Sequence, residues 1–326
     1  MFFNSKFWLK FSLINLLIVA LLGLLMRYKI GFEFPYLDQK HIQHSHSHFA
    51  FSGWLTHTLM VLMIVYLEKR AKNIENRFFK KYNLLLTANL ICAYGMLVFF
   101  ISQGYGLFSI IFSTASIVVA CVFAYYFIKD LKLISDEDMS KNWFKVALFF
   151  NVISSLGTFA LAYMMITKNI LQNEYLASIY YYLHFQYNGW FFFACMGLLF
   201  SFLQLKLSEN PFFKRTFWLF FLACIPAYFL STLWLDLPFW IYILTVIAAF
   251  IQVYTWFRFL IIIIKTKRYF LENIPFFLRF ILLFVGFALS VKFLLQLGST
   301  IPAISQLAFG FRPIVIAYLH LILLAI

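Results

Sequence analysis

The sequence predicts an all-α, polytopic transmembrane helical bundle of about ten spans, with its N-terminus in the cytoplasm. Three observations predict it. Of the 326 residues, 64% are hydrophobic and 12% charged, more apolar surface than a soluble domain can bury. The apolar residues fall in runs bounded by charge or turn residues, mostly long enough to cross the hydrocarbon as a helix of about 20 residues. The basic residues divide unevenly between alternate connections: with the N-terminus inside, eighteen fall on inner segments, against five (Arg27, Lys29, Lys40, Lys168 and Arg312) on outer loops. Residues 1–326 therefore read as a single integral-membrane helical domain whose first partner is the lipid bilayer. The net charge of +14 follows this topological bias, so no nucleic-acid partner is implied. The 45 phenylalanines are what codon bias in an A/T-rich genome would supply.

Taken in order, the first span, near 11–26, is short and follows Lys6 and Lys10, as a signal peptide would. It lacks a small-x-small cleavage pattern and runs at once into Arg27, so it reads as an anchor helix. The second, 43–67, lies between Lys40 and Glu68. The third and fourth, 83–102 and 107–128, lie between Lys81 and Lys129. The fifth, 146–166, follows Lys145, and the sixth, 177–205, ends at Lys206. The seventh, 216–235, runs from Arg215 to Asp236, and the eighth, 239–264, stops at Lys265. The ninth occupies 275–296. The tenth opens at Pro313 and has fourteen residues by Ile326, too few to cross a bilayer at helical rise; a truncated chain is expected.

Histidine is where function is expected. Five of the seven histidines lie in His41–His57, and the others are His184 and His320. Imidazole inside an apolar span is costly unless something holds it. His184 and His320 each lie seven residues into spans that enter from the outer face, and His46 and His48 lie three to five residues into another. At ~1.5 Å per residue all four sit roughly 5–10 Å inside that boundary. On a helical wheel His41, His44 and His48 share one face, while His46 and His57 share nearly the opposite one. His57 lies about 16 Å deeper than His46, away from that layer. The plainer readings are a hydrated tract that binds metals loosely, and isolated histidines bonded to backbone carbonyls.

These residues resemble a known family. His46-Ser47-His48 followed by Gly53-Trp54 resembles the His-x-His-x4-Gly-Trp pattern of short relatives of haem-copper oxidase subunit I. His184-Phe-Gln-Tyr-Asn188-Gly189-Trp190 is similar to the sixth-helix motif of nitric oxide reductases, with Asn188 at the position of their glutamate. Histidines in spans two, six and ten match that superfamily's layout. The resemblance implies a b-type haem ligated by His320 with His46 or His48, and a second metal, copper or iron, at His184, with His44 a further candidate ligand. Electron transfer or O2/NO chemistry would follow, with a cytochrome or quinol as redox partner, in a bacterial inner membrane. Arg27, Lys29 and Lys40 would pair with propionates, or are solvated loop charges. The departures matter: the seventh span has no histidine, and the tenth has one rather than a His-x-His pair. A complete binuclear oxygen-reducing centre cannot be assembled, which leaves an enzymatic role open.

The competing reading is a copper or zinc transporter or sensor, with the outer histidine cluster as the point of metal entry and Met60 and Met63 the soft neighbours of His57. A structural subunit is the third. Cys92, Cys121, Cys195 and Cys224 read as unpaired small core residues. Gly53 and Gly189 provide close approach for a ring or a helix. Arg258 and Lys292 snorkel or mark a polar path. Asp136-Glu137-Asp138 reads as solvated surface. No Gly-rich phosphate loop, nucleophile elbow or inverted repeat is evident.

Overall fold

A computed structural model describes residues 3–71, 78–205 and 210–325. Among them the chain is all-helical, with no strand, and its contacts divide it into two compact units, Met1–Ser135 and Asp136–Ile326. Lys72, Arg77 and Lys206, which enter the expected charge asymmetry, lie outside the described residues, as does Ile326.

In the first unit, α1 (Ser5–Gly31) starts under Asn4, whose side chain accepts from the Phe7 amide, an ordinary N-cap. A long rod follows: α2 (Gln39–Phe49), a π-helix (Ala50–Thr56) and α3 (His57–Arg70). Asp38 caps its start, its carboxylate accepting from the amides of Lys40 and His41. Then come α4 (Phe78–Gln103), α5 (Leu107–Asp130) and a 3-10 turn, Leu131–Leu133. Both α1 and α4 flank the rod, and α4 also packs on α5. Lining the interior are Ile42, Phe49, Met60, Leu67, Phe100 and Phe127, none of them exposed.

The second unit opens with α6 (Ser140–Thr167), followed by α7 (Gln172–His184), a second π-helix (Phe185–Phe191) and α8 (Phe192–Phe202). Next, α9 (Pro211–Cys224) bends by 41° into a 3-10 stretch, Pro226–Thr232, because Pro226 cannot continue the α-helical ladder. The remaining elements are α10 (Phe239–Thr266), α11 (Arg268–Asn273), α12 (Phe276–Gly298), α13 (Pro302–Gly310) and α14 (Arg312–Ala325). Its core is aromatic. Trp143 is fully buried, with its ring centroid 5.1 Å from Phe200, 5.3 Å from Phe193 and 5.4 Å from Phe217. Gly157 lets α6 and α7 touch backbone to backbone: a Cβ there would lie 2.6 Å from the Ser178 carbonyl oxygen.

Membrane embedding is supported by the outer surfaces. On α1, Leu13, Leu17, Leu21 and Leu24 are exposed, and on α12 so are Phe276, Phe280, Leu283 and Phe287, apolar stripes that need lipid against them. The span count is corrected. Among the described residues seven helices are long and apolar enough to cross a membrane, or up to nine if each bent pair is one span, in place of the ten expected. The expected sixth span is helical but carries Gln186 and Asn188 at its centre and is not among the seven. The expected tenth segment is helical, as α14, and α13 precedes it at an angle of 92°.

The acidic stretch is solvated surface as expected, with Asp136 and Glu137 exposed and Asp138 half-buried. The Asp136 carboxylate also lies 2.6 Å from the ammonium of the largely buried Lys141, and this cation holds its carboxyl below the usual carboxylate range. Asp138 accepts from the Ser140 amide, starting α6.

Candidate functional site

In the first unit the rod sorts its histidines between two neighbours. Toward α4, His41 donates through Nδ1 to the Ile101 carbonyl at 3.3 Å. Gly104 makes this possible twice over: its φ of +60° turns the chain out of α4, and a Cβ there would lie 2.5 Å from the His41 ring. His44 lies edge-on to Tyr105 with ring centroids 4.6 Å apart, and His48 Nε2 is 3.3 Å from the Tyr105 hydroxyl. His48 also stacks on Phe100 at 4.3 Å. Tyr105 therefore joins two imidazoles one helical turn apart. It was missed in the sequence, and its only signal is its place in the turn after α4.

Toward α1, His46 donates through Nδ1 to the Val19 carbonyl at 3.1 Å, and Gly23 leaves it room. A bond to a carbonyl fixes the proton on Nδ1 and puts the lone pair on Nε2, the tautomer that second-shell carbonyls impose on metal-ligating histidines. Deeper in, His57 is fully buried edge-on to Trp8 at 5.8 Å. Neither of its nitrogens closes a hydrogen bond of good geometry, although the Trp8 carbonyl faces the ring.

The π-helix sits between these two groups. Ser52 donates to the His48 carbonyl at 2.7 Å and Thr58 to the Trp54 carbonyl at 2.6 Å, competing with the α-helical ladder. Two carbonyls of the widened turn are met by asparagines of neighbouring helices: Asn15 donates to Gly53 at 2.5 Å and Asn89 to Ser52 at 3.1 Å. Asn15 also accepts from the Tyr94 hydroxyl at 2.7 Å.

In the second unit, His184 is 1% exposed. Its Nε2 donates to the Cys224 carbonyl at 2.9 Å, and its Nδ1 accepts from the Asn188 amide at 3.1 Å. Both ring nitrogens are thus used by protein in a neutral ring. Gln186 donates to Asn151 (2.9 Å) and Ser154 (2.7 Å), and the Cys224 thiol lies 3.6 Å from the Asn188 carbonyl. Lys292 is buried with its ammonium 4.1 Å over Phe293 and 5.2 Å over Phe192. His320 is exposed and donates from Nδ1 to the Ile316 carbonyl at 2.7 Å, the same tautomer as His46. Tyr318, not His320, meets the second π-helix, 6.3 Å from Tyr187.

Against a haem or a metal, the residues divide. His46 and His320 present the donor set of axial imidazoles, with Nδ1 tied to a carbonyl. His184 does not fit without giving up a hydrogen bond. No hydrogen bond or ring contact joins it to His320 among the described residues, nor do these form any group of three or more His, Cys, Asp or Glu side chains able to hold a metal ion. Gly189 accommodates Phe150, whose Cβ would lie 2.5 Å from an added Cβ, and Gly53 accommodates Phe49; both serve protein packing. No protein-family model, no curated protein and no solved structure matches the chain.

Proposed function

We propose that this chain is a haem-binding membrane redox protein related to haem-copper oxidase subunit I, with His46 in the first unit and His320 in the second each a candidate haem ligand. The observation that carries this reading is the shared tautomer of those two residues, each tied through Nδ1 to a backbone carbonyl. A bound haem would supply one-electron chemistry, and imidazole ligation suits it to electron transfer. The protein's contribution is to orient the two rings and to keep Nε2 unprotonated. The orientation follows from charge: N-terminus inside, about ten spans if the segment with the second π-helix and both bent pairs cross, and a bacterial inner membrane. The redox partner, a cytochrome or a quinol, would dock at the outer layer to which the charge asymmetry assigns these histidines.

His44 and His48 around Tyr105 favour a second reading, a copper or zinc site of two imidazoles and a phenol. One preparation decides between them. Full-length protein purified from haem-replete cells is scanned oxidised and dithionite-reduced, with metal analysis of the same sample. A sharp reduced α-band that disappears in His46→Ala and in His320→Ala is expected. A colourless protein carrying copper or zinc would replace the haem reading by the metal one, and a protein with neither would defeat both.

A further inference from the structure

Both π-helices follow the same sequence. His48-Phe49-Ala50-Phe51-Ser52-Gly53-Trp54 and His184-Phe185-Gln186-Tyr187-Asn188-Gly189-Trp190 agree at His, Phe, Gly and Trp, and pair Phe with Tyr and Ser with Asn at two of the other three places. The second starts 136 residues after the first, and His320 follows His184 by another 136. Helix boundaries keep this interval: α1 ends at Gly31 and α6 at Thr167, α5 ends at Asp130 and α10 at Thr266, while α6 opens at Ser140 and α12 at Phe276. The division between the two compact units falls at residue 135. Buried positions recur at the same interval: Asn15 and Asn151 on the first helix, Met60 and Met196, and Leu67 and Leu203 on the second.

Hydrogen bonding repeats as well. The Ser52 carbonyl, four residues after His48 in the first π-helix, accepts from Asn89 of the unit's third helix. Its counterpart in the second, at Asn188, is met by Cys224, again from the third helix, 135 residues after Asn89. Each repeated histidine also packs on that helix: His48 stacks on Phe100 and His184 donates to the Cys224 carbonyl.

We infer that the chain is a direct repeat of a four-helix unit about 136 residues long, and that Asn89 and Cys224 are one positioning residue in successive copies, each donating to the carbonyl four residues after the repeated histidine and so seating that histidine. A third copy opens at Phe276 and brings His320 to the same position, with Leu321, Ala325 and Ile326 in place of the Phe, Gly and Trp. The inference goes beyond the proposed function and does not depend on bound haem.

The experiment exchanges the copies in the full-length protein. Cys224→Asn and Asn89→Cys each install the other unit's residue, and Cys224→Ala and Asn89→Ala remove the contact. The readouts are the thermal unfolding midpoint in detergent and deuterium uptake at residues 50–56 and 185–191, neither of which needs a cofactor. The exchanged variants should keep wild-type protection at their own π-helix, with midpoints close to wild type. Both alanine variants should lose several-fold in protection there. Exchange variants as unprotected as the alanine variants would overturn the equivalence, and so would full protection in all four. If a variant fails to accumulate, uptake at the other unit's exchange pair decides by the same criterion.

Discussion

Gly157→Ala tests the close packing of α6 on α7, which carries the second π-helix. The added Cβ would meet the Ser178 carbonyl oxygen at 2.6 Å and the Tyr182 amide nitrogen at 2.9 Å. Both are backbone atoms of α7, so no side chain can swing aside. Ordinary contact begins near 3.4 Å, and the helices must part by about 0.8 Å. A gap of that size forfeits a quarter to a half of each dispersion contact across it, and overpacking of a tight interface costs roughly 1–3 kcal/mol. Alanine returns up to about 1 kcal/mol in helix propensity. The net expectation is a loss of about 1–2 kcal/mol, read as a fall in the unfolding midpoint in detergent. Gly286→Ala is the control, since its Cβ would meet nothing closer than Leu260 at 4.0 Å, so it should be neutral or stabilising. If Gly157→Ala were as stable as Gly286→Ala, the close approach of α6 and α7 would be refuted.

Tyr82→Phe should cost about 1–2 kcal/mol, because the phenol donates to the buried Asp130 carboxylate at 2.6 Å. Asp130→Ala should cost more, since Lys81, 2.5 Å from that carboxylate, loses its partner too; chemical denaturation of both variants gives the ranking. His57→Phe should raise the midpoint, by the equivalent of roughly 1 kcal/mol, because it removes two buried nitrogens without good hydrogen bonds; a fall would show that His57 has a partner essential to the fold. For Asp38, the amides of His41 and Lys40 hold the carboxyl below its ordinary 3.8. A depressed value means that its cap on α2 is in place above about pH 4 and is lost as pH falls through the lowered value. Amide exchange at residues 39–43 should therefore rise only in that acid range, and Asp38→Asn, which caps without titrating, should abolish the rise.

Most of the fold was legible because span length and charge asymmetry are properties of local composition. Each of the ten expected segments is helical, extended by a few residues at most ends, and only span number and straightness changed. Pro226 and Pro302 mark two of the breaks, yet whether a proline bends a span or starts a new helix depends on packing that composition does not encode. The π-helices were illegible for the same reason: their widened turns are held by Asn15 and Asn89 from other helices. The two faces of the histidine rod could be read from a helical wheel. That His46 faces α1 while His44 and His48 face Tyr105 could not, because it takes the neighbours to say what each face meets. The repeated His-Phe motif was visible throughout. Reading its two copies as separate family signatures hid that they match each other at four of seven positions.

The repeat also separates what seats the helices from what distinguishes them. His48 and His184 occupy the same position and both lean on the third helix of their unit, so a shared packing role explains them without a ligand. The positions of His41, His44, His46 and His57 hold Ala177, Tyr180, Tyr182 and Phe193 in the second copy. Four of the first unit's five histidines therefore depart from the repeat, and packing of the common architecture does not require them. Three of the four lie on α2, at the N-terminal end of the rod. Buried or half-buried imidazoles that the scaffold does not need carry a cost unless they bind something. On this argument His46 is a stronger ligand candidate than His48. Replacing it by the tyrosine of the other copy, His46→Tyr, should leave the fold intact while removing any haem or metal signal that His46 carries. Loss of folding in that variant would return His46 to the packing set.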